Sequence, residues 1–137
     1  VRDPAAMIAS YTEKRGSVRA QDLGLAKQVT LYKRVCELTG QAPPVVDSKD
    51  VLENPAAMLR LLCEHLGVEA NLPMCHWPKG RRDTDGVWAS HWYNAVEAST
   101  GFAPYKASSP DLDAAQQLVL AECEPDYQFF HERRLRL

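Results

Sequence analysis

Pro43-Pro44-Val45-Val46-Asp47 is the stretch that most narrows what this chain can fold into. The paired prolines stop any helix arriving from the N-terminal side, because neither donates a backbone N–H and each restricts the residue before it. Two β-branched residues then favour extended backbone, and Asp47 ends the run. A valine pair between breakers reads as a short, buried parallel strand, the one convincing strand signal in the sequence.

Helical periodicity surrounds it. From Pro4 to about Lys14 the apolar residues Met7, Ile8 and Tyr11 recur at core spacing, and Gly16 is the stop. A longer helix is predicted from Gln21 or Asp22 to about Thr39, through Leu25, Val29, Leu31, Tyr32, Val35 and Leu38, with Gly40 ending it. After Asp47, Ser48 and Asp50, a third helix opens at Asn54-Pro55. It places Met58, Leu61, Leu62, Cys63 and Leu66 on its buried side and closes at Gly67. A strand with helices before and after it is the signature of an α/β layered fold. One strand makes no sheet, so the expectation is a fragment of such a fold, mostly helical, with one or two short strands.

The opening residues carry the first functional signal. Val1 reads as the end of a further strand, Arg2-Asp3-Pro4 as a tight turn, Asp3 as a helix cap and Pro4 as the first helical residue. A helix N-terminus beside an arginine gathers free N–H groups, the positive end of the macrodipole and a planar fork of donors, which suits an anion. Ser10, about two turns along, can add a hydroxyl. The same residues also make an ordinary capped helix with a surface arginine.

Residues 74–88, MCHWPKGRRDTDGVW, carry the second signal. Lys79, Arg81 and Arg82 gather around Gly80, which lets backbone approach a ligand, and Asp83 and Asp85 can orient the cations. A solvated polar loop is the alternative. Trp88, Trp92, Tyr93 and Val96 follow at helical spacing and read as core. Beyond them, one helix is expected from Leu112 to about Glu122 and a last one from Pro125, whose Arg133, Arg134 and Arg136 suit a helix C-terminus.

These stretches, in this order, resemble the PAPS-dependent sulfotransferases, where PAPS is 3′-phosphoadenosine 5′-phosphosulfate. Arg2 with Ser10 eight positions on, directly after a strand, is similar to that family's 3′-phosphate motif. DSKDVLENPAAMLRLLCEHLG (47–67) resembles its acidic turn and packing helix. PKGRRDTDGVW resembles its C-terminal nucleotide loop, Arg-Lys-Gly with a later Gly-Asp-Trp; here Pro78 replaces the arginine and Asp85-Gly86-Val87-Trp88 replaces Gly-Asp-Trp. EPDYQFFHERRL resembles the closing helix, and residues 77–105 look even more like a divergent bacterial and fungal branch of the superfamily.

The resemblance implies a single domain over 1–137, the C-terminal portion of a P-loop-type parallel-sheet fold. It implies a nucleotide, PAPS or adenosine 3′,5′-bisphosphate, held by Arg2, Ser10, Lys79, Gly80 and Arg81, and a small-molecule or carbohydrate hydroxyl or amine as acceptor. The family's phosphate loop, catalytic lysine and base come from the N-terminal half, so no residue of this chain is assigned a catalytic role. A non-catalytic helical interaction or structural module is the alternative function.

Composition bounds these readings. A formal net charge of −2 over 137 residues argues against broad affinity for nucleic acid. No apolar run reaches the length of a membrane span. Cys36, Cys63, Cys75 and Cys123 lie scattered in helical segments, which fits free thiols in the cytoplasm. Cys63 with His65 and Cys75 with His76 match no ordinary zinc spacing, so no metal is expected. His91, between tryptophans, could serve as a base but reads as structural. Asp47 and Asp50 could pair as acid and base, yet capping at a strand-to-helix junction accounts for them.

Overall fold

The computed structural model describes residues 1–70 and 72–137, leaving the side chains of Leu72, His91 and Trp92 undescribed. The expected roles of His91 and of Trp92 therefore lie outside the described residues. Eight α-helices are described: α1 Pro4–Arg15, α2 Ala20–Leu23, α3 Leu25–Thr39, α4 Ser48–Glu53, α5 Pro55–Leu66, α6 Ala89–Trp92, α7 Asn94–Glu97 and α8 Ala114–His131. A 3-10 turn, Leu72–Cys75, follows α5.

Local chemistry sets most of these ends. Asp3 accepts a hydrogen bond from the Ala6 amide at 2.8 Å, and Pro4 fills the first position of α1. Gly16, Gly40 and Gly67 close α1, α3 and α5 in the left-handed conformation, where a side chain would be strained. Asn54 caps α5 through the Ala57 amide. Asp113 and Gln116 form a reciprocal capping box at the start of α8.

Packing decides the rest, and it departs from expectation in four places. The single helix expected over 21–39 is two, because Gly24 at φ 73° turns the chain between α2 and α3. Asp47-Ser48-Asp50 open a helix of their own, α4, ahead of α5. The two helices expected on either side of Pro125 are one, α8. Proline removes a hydrogen bond, but Cys123 and Phe130, 2% and 4% exposed, lie on either side of it in two core clusters that a continuous axis serves together. Trp88, Tyr93 and Val96 of the expected stripe are not core: they are 64%, 39% and 53% exposed, and among the described residues of that segment Ala89 is the buried one. Splitting the segment into two single-turn helices at Tyr93 destroys the common face. Trp77 does the packing instead, edge-on to Phe102 at 5.3 Å with its indole N–H on the Ser99 hydroxyl at 3.0 Å.

α8 is the central element, with α1, α2 and α3 packed against it. Ile8, Leu23, Leu25, Leu112 and Cys123 form one cluster; Val29, Val45 and Phe130 form another. Tyr32, Phe129 and Phe130 meet edge-to-face around the second. On α3, Leu25, Val29 and Tyr32 are packed against the core, whereas Leu31 and Leu38 are 63% and 67% exposed.

In place of the expected strand, Val45 makes a single parallel bridge with Arg134, and the Leu135 amide donates to the Val45 carbonyl at 2.8 Å. On the other side the Val1 nitrogen donates to the Val46 carbonyl at 2.6 Å, and the Ser48 amide donates to the Val1 carbonyl at 2.8 Å. These two bonds straddle Asp47 in the parallel pattern. Three short stretches thus run side by side, with Val45–Asp47 in the middle. No helix among the described residues is long and apolar enough to cross a membrane.

Truncating Ile8, which is fully buried, to alanine should lower the unfolding free energy by about 2–5 kcal/mol. Leu38→Ala, at an exposed position, should change it by less than about 0.5 kcal/mol. Urea unfolding of both variants measures the contrast.

Candidate functional site

Two of the parallel stretches end side by side, and each turns into a helix: Val1 through Arg2-Asp3 into α1, and Val45-Val46 through Asp47 into α4. A cavity of about 560 Å³ lies at this place. Arg2, Asp3 and Ala6 line it from the turn into α1 and its first helical turn; Asp47, Ser48, Lys49 and Leu52 from the cap and body of α4; Tyr105, Lys106 and Ser108 from the loop before α8; and Tyr127 and His131 from α8. Crevices beyond the carboxyl ends of parallel strands are where α/β folds hold ligands, and the volume suits a nucleotide-sized molecule.

Its electrostatics favour an anion. Arg2, Lys49 and Lys106 bring cations from three separate segments, and His131 adds an imidazole. The opposing carboxylates are engaged within the protein. Asp3 caps α1. Asp47, 2% exposed, accepts from the Lys49 amide at 2.8 Å and from the Tyr127 hydroxyl at 2.9 Å. Lys49 lies 5.7 Å from the Tyr105 ring centroid and 3.8 Å from Glu53, and its side chain is 54% exposed. An exposed pair of that kind is weak and leaves the ammonium open to a stronger anion.

Asp47 and Asp50 do not face each other as an acid–base pair. Asp47 caps α4, as expected; Asp50 instead takes the Arg134 guanidinium at 2.7 Å, with both side chains largely buried. Arg134 and Arg133 also donate to carbonyls of the last turn of α8, those of His131 and Phe129.

Of the residues expected to hold the nucleotide, Arg2 lines this cavity, whereas Ser10, Lys79, Gly80 and Arg81 are not among its lining residues. Ser10 lies one helical turn beyond Ala6 on the same face of α1. Lys79, Gly80 and Arg81 lie in an exposed loop that is tied to α7 by the Gly80 amide on the Glu97 carbonyl at 2.9 Å. Within the loop, Asp85 accepts from the Arg82 amide at 2.9 Å. Cys63 and Cys123 are buried and Cys36 and Cys75 half-buried, all as free thiols. Among the described residues, no three His, Cys, Asp or Glu side chains converge as metal ligands.

Sequence reading missed Lys49, Tyr105, Lys106, Tyr127 and His131. Lys49 had a usable signal, since it follows directly on the carboxyl end of the valine run. Tyr127 had none: its partner Asp47 is 80 residues away.

The site is thus a crevice at the ends of two parallel stretches, with Arg2, Lys49 and Lys106 on its walls. A family model described as a sulfotransferase domain matches residues 1–134, and the chain belongs to that family. It is 30% identical over 127 residues to branched-chain-amino-acid aminotransferase-like protein 2 of Arabidopsis thaliana, covering 93% of this chain and 22% of that protein. It is 35% identical over 106 residues to branched-chain-amino-acid aminotransferase-like protein 1 of the same plant, covering 77% of this chain and 19% of that protein. The chain therefore spans about a fifth of the length of these curated relatives. No solved structure matches it.

Burial first, then the hydrogen bond to Asp47 and its negative charge, push the Tyr127 phenol well above the usual tyrosine range, against the opposing pull of Arg134. Tyrosine ionises near pH 10 when unfolded, so above that pH the native state binds more protons than the unfolded one. The stability tied to Tyr127 is complete below about pH 10 and is lost as pH rises toward the folded value. Denaturant midpoints measured from pH 8 to pH 11 should fall at the alkaline end, and Tyr127→Phe should flatten that fall. Tyr32, also raised chiefly by burial, should leave a residual slope in the variant.

Proposed function

We propose that this chain forms the 3′-phosphate side of a sulfotransferase site that uses PAPS and hands its sulfuryl group to a hydroxyl or amine of a small molecule or carbohydrate. The observation that carries this reading is the cavity at the junctions of α1 and α4, with Arg2 at its edge and Lys49 and Lys106 on other walls. The residues fit the nucleotide. The volume is adequate, the cations come from separate directions, and the nearby Asp3 and Asp47 carboxylates are held as helix caps and outnumbered by the cations.

PAPS, when bound, supplies the activated sulfuryl group and leaves as adenosine 3′,5′-bisphosphate. The contribution of this chain is to hold charge. Arg2 donates a planar fork to phosphate oxygens, a geometry that lysine does not reproduce. Lys49 and Lys106 neutralise the remaining charge as mobile ammonium groups, and the Ser48 and Ser108 hydroxyls supply neutral donors. Ser10 extends the same face of α1, and Lys79, Gly80 and Arg81 join as the nucleotide loop that the family resemblance implies. The α/β architecture is completed, in this reading, by a parallel sheet to which the three short stretches around Val45 belong.

The aminotransferase-like name belongs to the two plant relatives as whole proteins. The stretch they share with this chain overlaps the span matched by the sulfotransferase model, which is why the sulfuryl-transfer reading is preferred here.

Isothermal titration with adenosine 3′,5′-bisphosphate and with adenosine 5′-monophosphate tests this. The bisphosphate should bind more tightly, and Arg2→Ala should weaken it by about 10- to 100-fold, the loss expected for a charge-assisted contact. Equal affinity for the two nucleotides, or an Arg2→Ala variant that binds as the wild type does, would refute the reading.

A further inference from the structure

α4 is a six-residue helix that buries none of its own residues, yet it carries Ser48 and Lys49 into the cavity. A helix so short does not persist by propensity, so its position has to be imposed. Two polar ties from the far end of the chain do this. The Tyr127 hydroxyl donates to the buried carboxylate of Asp47 at 2.9 Å, and the other oxygen of that carboxylate takes the Lys49 amide at 2.8 Å. One turn further on, Arg134 Nε donates to Asp50 at 2.7 Å, across a separation of 84 residues. Residues 47 and 50 share one face of the turn, and both are gripped by the C-terminal end of α8. Lys49 is left on the exposed side, toward Tyr105.

We infer that Tyr127 is a positioning residue for the anion site: its hydroxyl, acting through Asp47, fixes the first turn of α4 and so holds Lys49 at the cavity wall. This rests on the nucleotide reading above for its ligand, though not for the tie itself. Tyr127 and Lys49 then act in series, not in parallel. Once the Lys49 ammonium is gone, the Tyr127 hydroxyl positions only the neutral Ser48 donor of that turn, and its removal should have little further effect on the ligand. Residues that serve the ligand independently would instead show multiplicative losses.

The test is a double-mutant cycle in the full-length protein, with adenosine 3′,5′-bisphosphate as probe. Lys49→Met should weaken binding about tenfold, as expected for loss of one ionic contact. Tyr127→Phe should weaken it by about three- to tenfold, and the double variant should bind little worse than Lys49→Met alone. Amide hydrogen exchange without ligand supplies a second readout. In Tyr127→Phe the Lys49 amide, which donates to Asp47, should exchange about tenfold faster, while Lys49→Met leaves the α4 amides as they were. Losses that multiply in the cycle, or unchanged exchange at Lys49 in Tyr127→Phe, would overturn the inference. If the wild-type protein binds no bisphosphate, the nucleotide reading fails, and the exchange comparison alone decides for or against the tie. Should Tyr127→Phe not fold, Asp47→Ala takes its place in both measurements with the same expectations, because it removes the acceptor through which the Tyr127 hydroxyl acts.

Discussion

A carboxylate that is 2% exposed has to be given partners, and Asp47 is such a group. One oxygen is satisfied locally, by the Lys49 amide; the other needs a donor from elsewhere and finds it in Tyr127. That requirement places the end of α8 against the turn after Val46. With α8 there, Arg134 reaches both Val45 and Asp50, and Phe130 seals the apolar cluster beneath. The helix that organises the core therefore also organises the site.

The cavity follows from the same placement. Val1 lies alongside Val46 through backbone hydrogen bonds, so the turns leading into α1 and α4 are neighbours. Arg2 and Lys49, 47 positions apart in sequence, thereby come to line one crevice, with Lys106 from a third segment. Asp3 and Asp47 offset part of that positive charge, and both are held in place as helix caps, so the cations of the lining outnumber its carboxylates by one. The proposed nucleotide, a multiply charged anion, suits such an environment, and the chain belongs to the sulfotransferase-domain family.

Features governed by neighbouring residues could be read from the chain alone. The Asp3-Pro4 and Asn54-Pro55 starts and the glycine stops at 16, 40 and 67 depend on caps and on backbone freedom within a turn. The position of Arg2 just ahead of α1 was legible for the same reason. Features settled by tertiary packing were not. Pro125 continues a helix because core lies on both sides of it, and Trp88 is exposed because the segment around it breaks into single turns. The valine pair was recognisable as extended backbone, but among the described residues it joins an isolated bridge and not a longer ladder. Tyr127 and His131 reach the cavity from a helix whose local pattern is simply amphipathic, so nothing nearby in sequence marks them.

The central claim, that the junction of α1 and α4 is the phosphate site, is tested most directly by a crystal structure of the protein with adenosine 3′,5′-bisphosphate. The account predicts a phosphate within hydrogen-bond distance of the Arg2 guanidinium and in ionic contact with Lys49. A nucleotide bound with both phosphates away from Arg2 and the first turn of α4 would contradict it.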